Sequence, residues 1–133
     1  MNGVHATILL AVLTTGLAVV AGGQPTTGAG GFSELQRAKV ADADGLEVVM
    51  GIVKRPAESI SPKHYHPGGE FGFILEGVVT VATENEPPET LRAGASFYQP
   101  PGEWHIISTT TEGAEAVVFR VLKKGQPMIV VVD

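Results

Sequence analysis

A chain of 133 residues, 44% apolar and 17% charged, has room for one domain and the composition of a packed one, which excludes a disordered chain and two ordinary domains. A formal net charge of −5 with no basic stripe argues against a nucleic-acid partner. The absence of cysteine excludes a disulfide framework, a thiolate metal site and a catalytic thiol.

In chain order, Met1 to Gly31 carries no Asp, Glu, Lys or Arg. Its apolar run "ATILLAVLTTGLAVVAGG", followed by the linker-like "QPTTGAGG", reads as a signal peptide over residues 1–23, cleaved after Ala21-Gly22-Gly23 to leave Gln24 first. An uncleaved anchor is the alternative, but Thr14, Thr15 and Gly16 interrupt a core shorter than the roughly 20 residues of a spanning helix. The expectation is an exported protein, periplasmic or secreted, off the membrane after cleavage, with a linker over 24–34 and one domain over 35–133. Removing the leader removes His5, so the remaining histidines are His64, His66 and His105.

"FSELQRAKV" is a weak candidate for a helix. Everything after it reads as strands. Leu46–Lys54 is rich in β-branched residues and follows the turn pair Asp44-Gly45. Glu70–Thr83 reads as two strand halves around Glu76-Gly77, and "NEPPETL" as an acidic, proline-containing loop. Ala95–Gln99 is a short strand, Pro100–Glu103 a tight turn, and "WHIISTT", "AEAVVFRVL" and "MIVVVD" complete the set, separated by Glu112-Gly113 and Lys124-Gly125. Short segments punctuated by Gly and Pro predict an all-β sandwich or small barrel.

The chemistry concentrates in "HYHPGGE", His64 to Glu70. Residues i and i+2 of a strand share a face, so His64 and His66 present two imidazoles roughly 6.5 Å apart at Cα, close enough to converge on one ion. Pro67-Gly68-Gly69 breaks the strand, and its glycines let the chain return Glu70 to the same place. His105, just behind the Pro100–Glu103 turn, supplies a fourth ligand from a distant segment and leaves the remaining positions open to water or substrate. Alone, a His-x-His pair beside a Pro-Gly turn is also a common surface feature.

The joint pattern, His-x-His-x3-Glu-x6-Gly followed by Gly-x5-Pro-x-Gly-x2-His, resembles the two motifs of the cupin superfamily. His64, His66, Glu70 and Gly77 match the first; Gly94, Pro100, Gly102 and His105 match the second. The resemblance covers roughly Pro56–Leu122 and is nearest to small single-domain cupins of the quercetin-dioxygenase-like type. It implies an antiparallel jelly-roll β-barrel of about six to eight strands. It also implies one divalent transition metal per chain (Fe, Mn, Ni, Cu or Zn) on His64, His66, Glu70 and His105. Two departures stand out: Thr109 where the second motif usually ends in Asn, and "AESISPK" where a glycine is expected before the first. Gly77, Gly94 and Gly102, with Pro100, read as turn-formers of the scaffold.

Around that centre, Tyr98, Phe73, Ile107 and Arg120 are candidate pocket residues, the aromatic ones alternatively plain core. Arg120 differs in parity from Phe119 and Val121, so it either reaches into the barrel toward an anionic substrate or lies outside or at a subunit contact. Glu103 is a candidate partner of a ligand. The functional expectation is a metalloenzyme of dioxygenase type acting on a small molecule, with Glu70 also available as a base. The alternatives are a metal-dependent isomerase or lyase and a non-catalytic module that binds a sugar or small acid. By resemblance the chain pairs into a homodimer through Leu35–Lys54.

Overall fold

The computed structural model describes residues 31–133; the expected signal peptide and most of the expected linker lie outside the described residues. Eight strands and no helix occur within them: β1 (Gly31–Lys39), β2 (Leu46–Arg55), β3 (His64–Tyr65), β4 (Glu70–Thr83), β5 (Glu89–Arg92), β6 (Ser96–Gln99), β7 (His105–Lys123) and β8 (Val130–Val131). All pairings are antiparallel, in one curled sheet that runs β1-β2-β7-β3-β8, with β4 joined to β5, β6 and β7. This is the expected all-β jelly-roll barrel.

Two long strands make the curl. β7 pairs with β2 and the first half of β4 through residues Ala114–Lys123, then with the second half of β4 and with His64 through His105–Thr109. β4 bends to serve both halves, with register shifts between Ile74 and Glu76 and between Gly77 and Val79. Gly77 sits at that bend with φ +77°, and a Cβ there would lie 1.9 Å from the Gly113 carbonyl oxygen, so only glycine fits. The inward residues Ile74, Val79, Leu91, Ala116 and Val118 form the core.

Four expectations change. "FSELQRAKV" is the edge strand β1, and the strand starts at Gly31, inside the expected linker. β7 is one strand where the sequence suggests two, because Glu112-Gly113 interrupts its pairing with β4 without ending it, while β4 spans the expected Glu70–Thr83 with its halves meeting at Glu76-Gly77. Part of the acidic loop is a strand: Glu89–Arg92 pairs with Val78–Val81, burying only Leu91.

Thr109, one of the departures from the usual pattern, is structural here. Its hydroxyl donates to the Pro56 carbonyl (2.6 Å) and accepts the Ser59 amide (3.0 Å), pinning the β2–β3 connection onto β7. In the "AESISPK" stretch, Glu58 takes the left-handed conformation (φ 52°) that favours glycine.

Candidate metal centre

β3 and β7 hold the first two imidazoles together. His64 is the direct cross-strand partner of His105, which sets their rings 4.2 Å apart between centroids. His66 follows β3, and its ring lies 5.3 Å from that of His64 and 5.1 Å from that of His105. The turn after it is held tightly. Gly68 runs against β7, where a Cβ would meet the Val121 carbonyl oxygen at 1.7 Å, and the Gly69 carbonyl accepts the Val121 amide at 3.0 Å. The second turn is tied to the first, since the Gly102 amide donates to the His66 carbonyl at 2.9 Å. The expected left-handed glycines are present at Gly77, Gly94 and Gly102.

All three imidazoles are buried, and each has one potential ligand nitrogen within 4.8 Å of the others. His64 Nδ1 lies 2.7 Å from the Pro62 carbonyl and His66 Nδ1 2.7 Å from the Met128 carbonyl. A carbonyl only accepts, so both Nδ1 atoms carry the proton and both Nε2 atoms keep a lone pair. Burial holds the pKa values of His64 and His66 below the usual imidazole range. His105 is pushed down to about 3 by burial first and then by its two histidine neighbours. Neutral rings with lone pairs are the form that binds a cation, and burial, joined at His66 and His105 by repulsion between the protonated forms, keeps all three rings in it. The donor set therefore fits a borderline transition metal.

Glu70 opens β4 on the inner face, and its Oε2 stands 3.5 Å from His66 Nε2. The same oxygen accepts a hydrogen bond from Arg120 Nε. That ion pair follows from register: Glu70 and Arg120 are direct partners across β4 and β7, both pointing inward and both buried. Arg120 thus lies inside the barrel, its guanidinium stacked 4.6 Å over the Phe32 ring, and not on the outer surface.

A cavity of about 480 Å³ opens beside the histidines, within the usual range for a small-molecule site. Ile107, Glu70, Arg120 and Gln99 line it, with apolar walls from residues such as Val81 and Phe97. Two expected pocket aromatics are placed differently. Phe73 points outward and is not part of the wall, because inward positions on β4 are Glu70, Gly72 and Ile74. Tyr98 is half exposed at the cavity's edge, its ring stacked on Phe71 outside the barrel (centroids 4.6 Å apart), while its neighbour Gln99 turns in. Phe119 is exposed on the same outer face, so these rings are not core either. Glu103 lines the cavity, where its carbonyl accepts from Gln99 Nε2 at 3.2 Å. Arg55, Thr83 and Phe32 also line the cavity and were not singled out by the sequence. The available signal was parity: Arg55 alternates with Val49, Gly51 and Val53 on the buried side of β2.

A curled antiparallel barrel of this kind defines a class, the double-stranded β-helix proteins, and here three neutral imidazoles face its small cavity. Residues 52–122 match the Cupin domain, and the chain belongs to the cupin family. Over 68 residues it is 34% identical to dimethylsulfoniopropionate lyase DddQ of Ruegeria pomeroyi, a stretch that covers 51% of this chain and 34% of that protein. The crystal structure of that lyase superposes with a TM-score of 0.59 at 29% identity, over 68% of this chain and 44% of the lyase. Oxalate oxidase in complex with the substrate analogue glycolate gives 0.55 at 26% identity, over 64% and 46%. An uncharacterised double-stranded β-helix protein of Klebsiella pneumoniae gives 0.59 at 17% identity, over 83% and 90%, a likeness of fold alone. The chain spans about a third of the lyase by sequence and less than half of either enzyme by structure.

Proposed function

We propose that this chain is a metal-dependent enzyme acting on a small polar organic molecule, with His64, His66, His105 and Glu70 as the ligand set. The observation that carries this reading is the group of three buried, neutral imidazoles with potential ligand nitrogens within 4.8 Å of one another beside a cavity of small-molecule size. A bound divalent metal would supply Lewis acidity there, polarising a substrate oxygen. The chain's own residues do the rest. The carbonyls of Pro62 and Met128 fix two imidazole tautomers, and apolar residues such as Val81 and Phe97 line the cavity. Glu70 is the carboxylate nearest the cluster, shared between His66 and Arg120, and is placed to take a proton from bound substrate.

Lyase chemistry is favoured over the dioxygenase chemistry expected from the motifs, because the lyase of Ruegeria pomeroyi shows the higher identity of the two enzyme relatives above. The likeness to oxalate oxidase keeps an oxygen-using reaction as the second reading. Turnover of a panel of small organic acids by the metal-loaded protein, in air and without oxygen, separates the two. A lyase works equally in both, an oxidase or dioxygenase only in air, and silence with every metal and substrate would contradict the enzyme reading.

In the same reading two copies pair. Support comes from the outer face, where exposed Phe71, Phe73 and Phe119 share a sheet with the edge strand β1. Light scattering that returns a monomer mass would remove this.

A further inference from the structure

Among the described residues, Arg55 Nε and Thr83 Oγ1 are buried side-chain polar atoms with no hydrogen-bond partner. Both residues line the one cavity beside the histidine cluster. Unpaired buried polar groups are costly and rare in a folded chain, so two around one space mark a place where a ligand completes the bonding.

Charge narrows the ligand. Arg120 is neutralised by Glu70. The three histidines are held neutral by their burial. Glu86 and Glu89, at the cavity's edge, are exposed to water, and Glu115 pairs with Lys54 at 2.9 Å. Arg55 is left without a carboxylate partner, with burial opposing its charge, yet a guanidinium does not give up its proton in a protein. Arg55 ends β2 and lines the same cavity as His64. Thr83 is the direct cross-strand partner of His105 and brings its hydroxyl to the same neighbourhood.

We propose that Arg55 and Thr83 form an anion-binding subsite, and that the cavity takes a small organic acid whose carboxylate is held by Arg55 while a second oxygen donor points to the histidine cluster. This rests on the enzyme reading above and names its substrate class. A guanidinium matches a carboxylate through two parallel N–H···O bonds, and Nε with one terminal nitrogen presents that fork. The Thr83 hydroxyl donates a third bond. A dicarboxylate or a hydroxy acid with its functions a few carbons apart suits the cavity; a neutral sugar leaves Arg55 unpaired.

Isothermal calorimetry with succinate, and with its neutral counterpart succinamide, tests this on the metal-loaded full chain and on the metal-free chain. The wild type should bind succinate at least tenfold more tightly than succinamide. Arg55→Gln should lose at least tenfold for succinate and little for succinamide, Arg55→Lys should keep part of the preference, and Thr83→Val should lose severalfold. Metal content, measured on the same samples, should be unchanged by all three substitutions. Equal binding of succinate by wild type and Arg55→Gln, no preference over succinamide, or no succinate binding by either form of the wild type would overturn the subsite. If Arg55→Gln does not fold, the comparison of Arg55→Lys and Thr83→Val with wild type carries the test. Failure of the enzyme reading looks different: succinate is still discriminated, but the protein holds no metal or turns nothing over.

Discussion

The two faces of the β4–β7 pair could hardly differ more, although the same residues alternate to make them. Inward, Glu70, Gly72 and Ile74 oppose Arg120, Val118 and Ala116, so a buried ion pair sits directly beside aliphatic core. Outward, Phe71 opposes Phe119 and Phe73 opposes Val117, aromatic rings left open to water. Stability alone would arrange this the other way round, since taking two charges out of water costs several kcal/mol per ion and rings gain by burial. A strand pair that places an ion pair inside and Phe71, Phe73 and Phe119 outside has its inner face arranged for binding.

Substitutions can break that contrast. Arg120→Ala leaves the Glu70 carboxylate buried without its partner and should cost about 3–5 kcal/mol in chemical denaturation of the metal-free protein. Replacing both, Glu70→Gln with Arg120→Met, should recover most of the loss. Ile74→Ala, one step along the same inner face, should cost about 2–5 kcal/mol by opening a cavity. If Arg120→Ala costs less than about 1 kcal/mol, the inner pair is ordinary surface electrostatics and the contrast fails.

Acid should act on the inner face too. The folded pKa of His105, about 3, lies below the roughly 6.5 of an unfolded imidazole, so the unfolded chain takes up the proton first as pH falls. Stability of the metal-free protein is therefore full above about pH 6.5 and is lost below it, by up to about 1.4 kcal/mol per pH unit from His105, with further losses from His64 and His66. A flat denaturation midpoint between pH 7 and 5 would contradict the burial of the cluster. On the outer face, Phe73→Ser should change the stability of the isolated chain by less than about 1 kcal/mol. The smallest effect lies off both faces: Glu58→Gly should stabilise by about 0.5–1 kcal/mol, because glycine takes the left-handed backbone without strain.

The sequence made some of this legible and hid the rest for physical reasons. β2, β4, β6 and β7 announce themselves as β-branched and aromatic runs, and the turn glycines mark where the chain must take left-handed angles. β5 stays hidden because only Leu91 of its four residues is buried, and β1 because an edge strand carries polar residues that break the alternation. The histidines are visible through their spacing. The position of Arg120 is not: alternation says that it opposes Phe119 but not which of them faces in, and only the register with Glu70 decides. The place of Tyr98 is hidden for the same reason: the inner side of β6 falls to Phe97 and Gln99, and Tyr98 lines the cavity only at its edge. Arg55, next to exposed Lys54 at the end of β2, follows the alternation that buries Val49 and Gly51, a parity that the sequence shows only once the buried side of β2 is known.

The central claim is that the inner face holds a metal. Elemental mass spectrometry of the purified protein, beside a His64→Ala/His66→Ala variant checked for folding by circular dichroism, tests it most directly. The account predicts about one transition-metal ion per chain in the wild type and less than about a tenth of that in the variant. A folded wild type that stays metal-free after reconstitution with iron, manganese, nickel, copper and zinc in turn would contradict it.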